Sequence, residues 1–231
     1  MSSVIDICER AAAAAPKVAA LPGELKVKAL QAMADALLNE ADSLVTANSK
    51  DVEGAREAGT SSTIVDRLTL TEARLESMAQ GLRQVADQND PVGEVVEGWK
   101  RPNGLLIEKV RVPLGVVAVI YEARPNVTAD VAGLCLKSGN ACILRGSSIA
   151  LSSNHAIVDV LTRAAEQAGV PKNAIQLVPD AERSSAVALM QAKDHVDLLV
   201  PRGGRALIKT MEEHATVPFI IDGDGNCHVY V

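Results

Sequence analysis

Aromatic residues are scarce in this chain of 231 residues, and three features that define other protein classes are missing as well. Aromatic side chains make up 2% of the sequence, so the stacking platforms that hold single-stranded nucleic acid are not expected. The net charge is −6 and basic residues form no blocks, which argues against a nucleic-acid or anionic-membrane partner. No apolar run approaches the length of a membrane span, and no signal peptide opens the sequence.

The sequence also lacks the cysteine spacing of a disulfide framework or a zinc site. Its four cysteines are isolated from one another and stand among apolar neighbours: Cys8, Cys135, Cys142 and Cys227. Unpaired thiols of this kind are typical of a reducing compartment. We therefore expect a cytoplasmic protein without a metal site.

Hydrophobic residues make up 48% of the chain, and their periodicity changes twice along it. Residues 1–90 carry leucine and methionine at three- and four-residue spacing, for example at Leu30 and Met33, which predicts helices. Residues 91–112 alternate between apolar and polar on either side of Asn103-Gly104, a dipeptide that favours a hairpin turn. The first two stretches therefore predict a helical segment followed by a β-hairpin.

Residues 113–231 alternate between strand and helix patterns. The strand patterns are near-continuous apolar runs, VVAVIY, ACILR, AIQLV, VDLLV and FII, and helical patterns such as 150–168 and 204–214 lie between them. Apolar strands joined by helices indicate a parallel sheet that is covered on both faces. The predicted fold class is therefore α/β.

Polar residues follow the predicted strands at their carboxyl ends, where ligands bind in sheets of this kind. The sequence therefore predicts a site for a nucleotide or an anionic substrate at this edge. The polar turns are Glu122-Ala123-Arg124 with the nearby Asn126, Arg145-Gly146-Ser147-Ser148, Pro179-Asp180 and Pro201-Arg202-Gly203-Gly204.

Each of these turns also has a purely structural interpretation. Gly203-Gly204 can be a tight connection from strand to helix. Arg145 and Arg202 can be solvated or paired with surface carboxylates, and Ser147-Ser148 can cap the following helix. The GxGxxG dinucleotide fingerprint does not occur. The residues alone lead to an α/β domain with an anion or nucleotide site and no further.

Three stretches of the sequence, VPLGVVAVIYEARPNVTADVAGLCLKSGNACILRG, LLVPRGG and GNCHVYV, closely resemble the gamma-glutamyl phosphate reductases (glutamate-5-semialdehyde dehydrogenases). These enzymes are the proline-biosynthesis branch of the aldehyde dehydrogenase superfamily, and the resemblance covers the whole chain. It implies that residues 1–90 are helices packed on a nucleotide-binding domain, that residues 91–112 are an oligomerisation hairpin, and that residues 113–231 form a Rossmann-like NADP-binding domain with five strands. A homo-oligomer is expected.

The resemblance also implies a reaction, the NADPH-dependent reduction of L-glutamyl 5-phosphate to L-glutamate 5-semialdehyde and phosphate. In this family a cysteine thiolate displaces phosphate and forms a thioester, which hydride then reduces. A non-catalytic nucleotide-binding or oligomerisation module is the alternative, and a functional link to glutamate 5-kinase is implied as well.

The expected nucleophile is not found in this chain. In the family it lies in a motif similar to QRPSTCN, which does not occur here, and Cys227 does not match its position. The resemblance therefore implies no catalytic residue in the sequence as far as Val231 and places the nucleophilic cysteine beyond Val231. The chain corresponds to the N-terminal part of the enzyme and ends at the start of the missing catalytic domain. We expect it to be inactive alone.

Two positions distinguish this chain from other members of the superfamily. Hydrolytic relatives carry a glutamate base before a Gly-Gly turn, where this chain reads Ile220-Ile221-Asp222-Gly223, so a thioester would pass to hydride rather than to water. NAD-preferring relatives carry a lysine and, three residues later, a glutamate where this chain has Arg145 and Ser148. A carboxylate would repel a 2′-phosphate that arginine and serine can bind, which favours NADPH. The expected cofactor-binding residues are Arg145, Gly146, Ser147, Ser148, Arg202, Gly203 and Gly204.

For the substrate, the resemblance points to Glu122, Arg124 and Asn126. Arg124 would pair with the acyl phosphate or with the α-carboxylate, and Asn126 would donate to an acyl or phosphate oxygen. Glu122 would orient Arg124 or meet the α-ammonium group. A structural Glu122–Arg124 ion pair is the alternative.

Overall fold

The first part of the chain forms five helices in the computed structural model, which describes residues 3–221 and Val229. α1 begins at a capping box, in which the side chains of Ser3 and Asp6 each accept a hydrogen bond from the backbone N–H of the other residue. In the described part of the chain, no helix is both long and apolar enough to cross a bilayer. The helices are Val4–Ala19 (α1), Gly23–Asn39 (α2), Ala41–Glu57 (α3), Ser62–Leu68 (α4) and Glu72–Asp87 (α5).

The predicted hairpin is present as a sheet of its own. Its strands, Val95–Lys100 (β1) and Leu106–Val110 (β2), pair antiparallel with Trp99 opposite Ile107. Nearly all of its residues are exposed, so neither face of this ribbon is covered by the rest of the chain.

The remainder alternates between strands and helices around a parallel sheet with the order β5-β4-β3-β6. The predicted runs VVAVIY and ACILR match β3 and β4 residue for residue. The elements are Val116–Tyr121 (β3), Asn126–Lys137 (α6), Ala141–Arg145 (β4), a 3₁₀ turn at Ser148–Ala150, Leu151–Ala168 (α7), Ile175–Leu177 (β5), Arg183–Met190 (α8), Leu198–Arg202 (β6) and Arg205–His214 (α9).

The fifth predicted strand, FII, is shorter than the sequence pattern suggested. Phe219 forms a single parallel bridge with Leu199, which is flanked by hydrogen bonds from Leu199 N–H to the Pro218 carbonyl and from Ile220 N–H to the Leu199 carbonyl. Within the described residues the ladder ends there, so four strands and one bridge replace the expected five strands.

The two faces of β3 belong to two different parts of the core. Val117, Val119 and Tyr121 point to the side packed by α2, α5, α6 and α7, whereas Val116, Ala118 and Ile120 point to the side packed by α1, α8 and α9. Successive side chains on a strand alternate between faces, and both faces are covered here, so every residue of the strand is apolar. The carboxyl ends of the strands remain open at one edge of the sheet.

Candidate functional site

A cleft of about 610 Å³ opens at the carboxyl ends of β3 and β6. These strands are parallel neighbours, with Tyr121 beside Arg202 in the register, so the turns that follow them are brought together. The cleft collects six of the residues that the sequence singled out, and α4 closes its other side. It is lined by Ile64, Arg67, Glu122, Ala123, Arg124, Val127, Ser147, Ile149, Arg202, Gly203 and Gly204.

Three arginines face this cleft without a protein partner. Arg67, Arg124 and Arg202 are exposed, and no residue in the described part of the chain hydrogen-bonds or ion-pairs with their guanidinium groups. Guanidinium groups bind carboxylates and phosphates through paired, charge-assisted hydrogen bonds. Three of them on one concave surface make this cleft a candidate site for an anion.

Glu122 holds the turn that leads into α9. Its Oε1 accepts a hydrogen bond from the backbone N–H of Gly204 at 3.0 Å. A Cβ at Gly203 would lie 2.8 Å from this oxygen and 2.9 Å from Leu207 Cδ2, so glycine is required for the close approach. No Glu122–Arg124 ion pair occurs among the described residues, and the Arg124 side chain is left available to a ligand.

Arg145 lies behind the cleft and is partly engaged by the protein. Its Nη2 donates to the carbonyl oxygens of Ala181 at 2.8 Å and Glu182 at 3.0 Å, just before α8. Burial lowers the pKa of Arg145, and the charge of the nearby Asp180 opposes that shift. Arg145 Nε and Ser147 Oγ are buried and have no hydrogen-bond partner among the described residues.

Buried donors are normally paired, so the two orphaned atoms mark a place where a ligand group would fit. Gly146 is buried between them, and a Cβ there would collide with Asn154 Nδ2. Ser148 is exposed at the start of the 3₁₀ turn. Of this turn only Ser147 also lines the cleft.

Asn126, the remaining predicted residue, opens onto a second and smaller pocket. Its Nδ2 donates to Asp130 Oδ2 at 3.1 Å. This pocket has a volume of about 330 Å³ and shares Arg67 and Arg124 with the cleft. Its other lining residues are Asp66, Thr69, Leu70, Arg74, Ser77, Met78, Pro125, Asn126 and Asp130.

The sequence analysis did not single out Arg67 or Asp130. Arg67 belongs to a short helix of the first 90 residues and carries no motif that would separate it from any surface arginine. Asp130 had a weak signal, because it is the one acid in the apolar helix NVTADVAGLCLK and stands four residues after Asn126.

The described cysteines are core residues. Cys8, Cys135 and Cys142 are free and buried. Burial raises the pKa of Cys8 to about 11, and the hydrogen bond with Cys135 together with burial raises that of Cys142. A raised pKa suppresses the thiolate, which makes both groups poor nucleophiles. Residues 3–221 contain no cluster of metal-ligating side chains.

Some predictions concern the carboxyl-terminal residues of the chain. Asp222-Gly223, Cys227, His228 and Val231 lie outside the described residues. The expected absence of a glutamate base before the turn is therefore a statement about the sequence alone. The nucleophile that we expect beyond Val231 stays a prediction. The C-terminal boundary of the nucleotide-binding domain at that residue also stays a prediction.

Comparison with known proteins agrees with this architecture. Gamma-glutamyl phosphate reductase of Clostridium novyi is 50% identical over 228 residues, which are 99% of this chain and 55% of that protein. The enzyme of the same name from Moorella thermoacetica is 53% identical over 96% of this chain and 53% of its own length. The crystal structure of gamma-glutamyl phosphate reductase from Thermotoga maritima superimposes with a TM-score of 0.95 at 37% identity, covering 98% of this chain and 55% of that one.

The chain therefore spans about half the length of the relatives that it matches. The rest of each relative has no counterpart in these 231 residues. The catalytic domain expected from the resemblance belongs to that remaining part. A sequence profile, that of the aldehyde dehydrogenase family, matches residues 2–231. The fold and the parallel sheet are those of this group, and the chain belongs to the aldehyde dehydrogenase family.

Proposed function

We propose that this chain supplies the cofactor-binding and anion-recognising part of an enzyme that reduces L-glutamyl 5-phosphate to L-glutamate 5-semialdehyde and phosphate with NADPH. The observation that carries the proposal is the set of three unpartnered guanidinium groups, Arg67, Arg124 and Arg202, on one cleft of a chain similar to gamma-glutamyl phosphate reductases. In this proposal the reaction is a cytoplasmic step of proline biosynthesis, and its acyl phosphate is supplied by glutamate 5-kinase.

The residues near Arg145 suit the adenosine end of NADPH. Arg145 Nε and Ser147 Oγ are buried donors without a partner, and a 2′-phosphate would satisfy both. Ser148 adds an exposed hydroxyl and no repelling carboxylate. Arg202 with the side-chain-free backbone of Gly203-Gly204 would hold the rest of the cofactor, whose chemistry is the delivery of hydride.

The cleft arginines would act on the substrate by neutralising charge. The phosphate group of an acyl phosphate leaves as an anion, and the guanidinium group of Arg124 stabilises that developing charge. Glu122 stays bound to the Gly204 N–H and keeps the β6–α9 turn in place. We assign the thiolate that displaces phosphate to the part of the relatives that this chain does not span, because Cys8 and Cys142 have raised pKa values.

Cofactor choice tests the assignment of the 145–148 turn. In calorimetric titrations of the full-length protein, NADPH should bind roughly 10- to 100-fold more tightly than NADH. One charge-assisted hydrogen bond to a phosphate changes the affinity by about this factor. Added salt should narrow the difference. Arg145→Glu should reverse it.

Arg145 also holds the 181–182 carbonyls, so Ser148→Glu is the companion variant: it places a carboxylate in the same turn from an exposed position. Arg163→Glu, on the exposed face of α7, is the matched control and should leave the preference unchanged. Equal affinity of the unmodified protein for the two cofactors would contradict the proposal.

The exposed hairpin supports a homo-oligomer in the same proposal. Six of its large apolar side chains are 42–63% exposed, and a ribbon with uncovered apolar residues is suited to pairing with another subunit. Deleting residues 95–110 should convert the oligomer into a monomer in light scattering, and an unchanged mass would remove the hairpin from the interface. The side chains concerned are Val95, Val96, Trp99, Leu105, Leu106 and Val110.

A further inference from the structure

The smaller pocket beside the cleft contains charges of both signs, and only some of them are paired. It lies between α4, α5 and the amino end of α6. Arg74 and Asp66 satisfy each other, with Nη2 and Oδ1 3.0 Å apart, and Arg74 also donates to the Thr69 carbonyl at 2.7 Å. This pair closes one wall and leaves no charge for a ligand.

Asp130, by contrast, has no cation. Its one hydrogen bond comes from the Asn126 amide at 3.1 Å, and no lysine, arginine or histidine among the described residues comes within ion-pair distance. On its other side the carboxylate lies over Gly81 of α5, where an added Cβ would be 3.8 Å from Oδ1. Burial raises the pKa of Asp130, and the Asn126 hydrogen bond only partly offsets this.

Arg67 and Arg124 are the opposite case, because they are cations without an anion. Both lie on the rim shared by the pocket and the cleft. An unpaired carboxylate and two unpaired guanidiniums in one small cavity are complementary to a ligand that is itself zwitterionic. An α-amino acid carries an ammonium and a carboxylate on the same carbon.

We propose that this pocket recognises the α-amino-acid end of the substrate, with Asp130 and the Asn126 oxygen holding the α-ammonium group and Arg67 holding the α-carboxylate. The inference deepens the proposed function and rests on it for the reaction, but it concerns recognition alone. The side chain of the bound amino acid then extends across the shared rim into the cleft. Glu122, the other carboxylate nearby, is already bound to the Gly204 N–H.

Two ligands that differ only in the ammonium group test this proposal. L-glutamate and glutarate have the same carbon chain and the same two carboxylates. In calorimetric titrations, we expect the full-length protein to bind L-glutamate roughly 10- to 100-fold more tightly than glutarate. One hydrogen-bonded charge contact changes the affinity by about this factor. Asp130→Asn should remove the preference by weakening L-glutamate while leaving glutarate unchanged.

Glu76→Gln, on the exposed face of α5, removes one negative charge near the same helices and is the matched control. It should keep the preference. In the unmodified protein the preference, corrected for protonation of the ligands' own carboxyl groups, should also fall as the pH drops through the raised pKa of Asp130, because the protonated carboxyl no longer attracts an ammonium group. This pH profile needs no variant and therefore tests the proposal even if Asp130→Asn fails to fold.

The outcomes separate this inference from the proposed function. Equal binding of the two ligands, no measurable binding of either, or a preference that survives Asp130→Asn would overturn the pocket assignment. If NADPH does not bind or no reduction occurs while the Asp130-dependent preference is present, the pocket assignment stands and the reaction is wrong. If reduction occurs with the same efficiency on a substrate without the amino group, the reaction stands and the pocket assignment is wrong.

Discussion

The polar groups at the two ends of the parallel sheet differ in whether they have hydrogen-bond partners. At the amino ends, Asn140 Oδ1 accepts hydrogen bonds from the N–H groups of Leu114 at 2.7 Å and Gly115 at 2.9 Å. Asp197 Oδ2 accepts the next one, from Val116, at 2.7 Å. These side chains satisfy the backbone that enters β3.

The charged groups of a buried cluster at the same end are also paired. The Lys26 side chain is fully buried, and its Nζ lies 2.6 Å from Asp90 Oδ2. It also donates to the Lys137 carbonyl at 3.2 Å, while Lys137 Nζ donates to the Ala86 carbonyl at 2.8 Å. The cluster ties α2, the end of α5 and the end of α6 together.

At the carboxyl ends the donors are unmatched. Arg67, Arg124 and Arg202 have no partner in the described residues, and Arg145 Nε and Ser147 Oγ are buried without one. Unsatisfied buried donors reduce stability, and their cost is offset when a ligand binds. Paired polar groups are therefore found at the amino end of the sheet, and several unpaired ones are found at the carboxyl end, where we propose that ligands bind.

The largest expected effect concerns turnover. The polypeptide of these 231 residues should show no semialdehyde- and phosphate-dependent reduction of NADP⁺, because the described residues that line the carboxyl-end cleft include no thiol. Adding a second polypeptide with the remaining residues of the Clostridium novyi relative, those beyond the position that matches Val231, should produce turnover. Turnover by the first polypeptide alone that disappears in Cys227→Ser would show that the nucleophile has been misplaced.

The next effect tests the amino end. Asp90→Ala should lower the free energy of unfolding by about 3 kcal/mol, because the buried Lys26 ammonium loses its counter-ion. Urea unfolding measures this loss, and binding of NADPH to the folded variant should be unchanged. Asp35→Ala, which removes an exposed partner of Arg83, is the control and should cost less than about 1 kcal/mol.

The pH dependence of that pair sharpens the test. Burial alone would raise the pKa of Asp90, but hydrogen bonds from Lys26 and the Val92 N–H and the charges of Lys26 and Lys137 lower it below its ordinary value of 3.8. A carboxyl group with a lowered pKa in the folded state stabilises the protein above its unfolded pKa and loses this contribution as the pH falls through the folded value. The stabilities of the original protein and Asp90→Ala should therefore converge below about pH 4. A difference in stability that stays constant as the pH falls well below about 4 would contradict the ion-pair explanation.

The smallest expected effect on stability belongs to the carboxyl end. Arg124→Gln should weaken binding of acetyl phosphate, a simple acyl phosphate, and Arg202→Gln should weaken binding of NADPH, each by roughly tenfold. Neither should change the free energy of unfolding by more than about 0.5 kcal/mol, since neither side chain has a protein partner. Arg163→Gln should leave acetyl phosphate binding unaltered. If the cleft variants lost stability without losing binding, the cleft arginines would be stabilising residues and not ligand-binding ones.

Much of this organisation was predictable from local patterns. β3 and β4 have the predicted bounds because an apolar run covered on both faces allows no polar residue until the strand ends. The hairpin was predictable because Asn103-Gly104 suits a tight turn between alternating runs. The cleft residues Glu122, Arg124, Arg202 and Gly203 were predictable because parallel strands bring the turns at their carboxyl ends to one edge.

The tertiary structure alone decided which of these groups are free. Whether an arginine binds a ligand depends on the partners that packing brings near it, so Arg145 is partly engaged by the 181–182 carbonyls while Arg67, from a distant helix, enters the site. Asp130 is without a cation for the same reason, since the helix that faces it offers Gly81. The sequence by itself determined the strands, the turns and the edge of the sheet where the candidate site lies, because these depend on local periodicity and on the alternation of a covered strand. Pairing is a contact between residues far apart in the chain, and only the folded arrangement of α4, α5 and α6 around the sheet determined it.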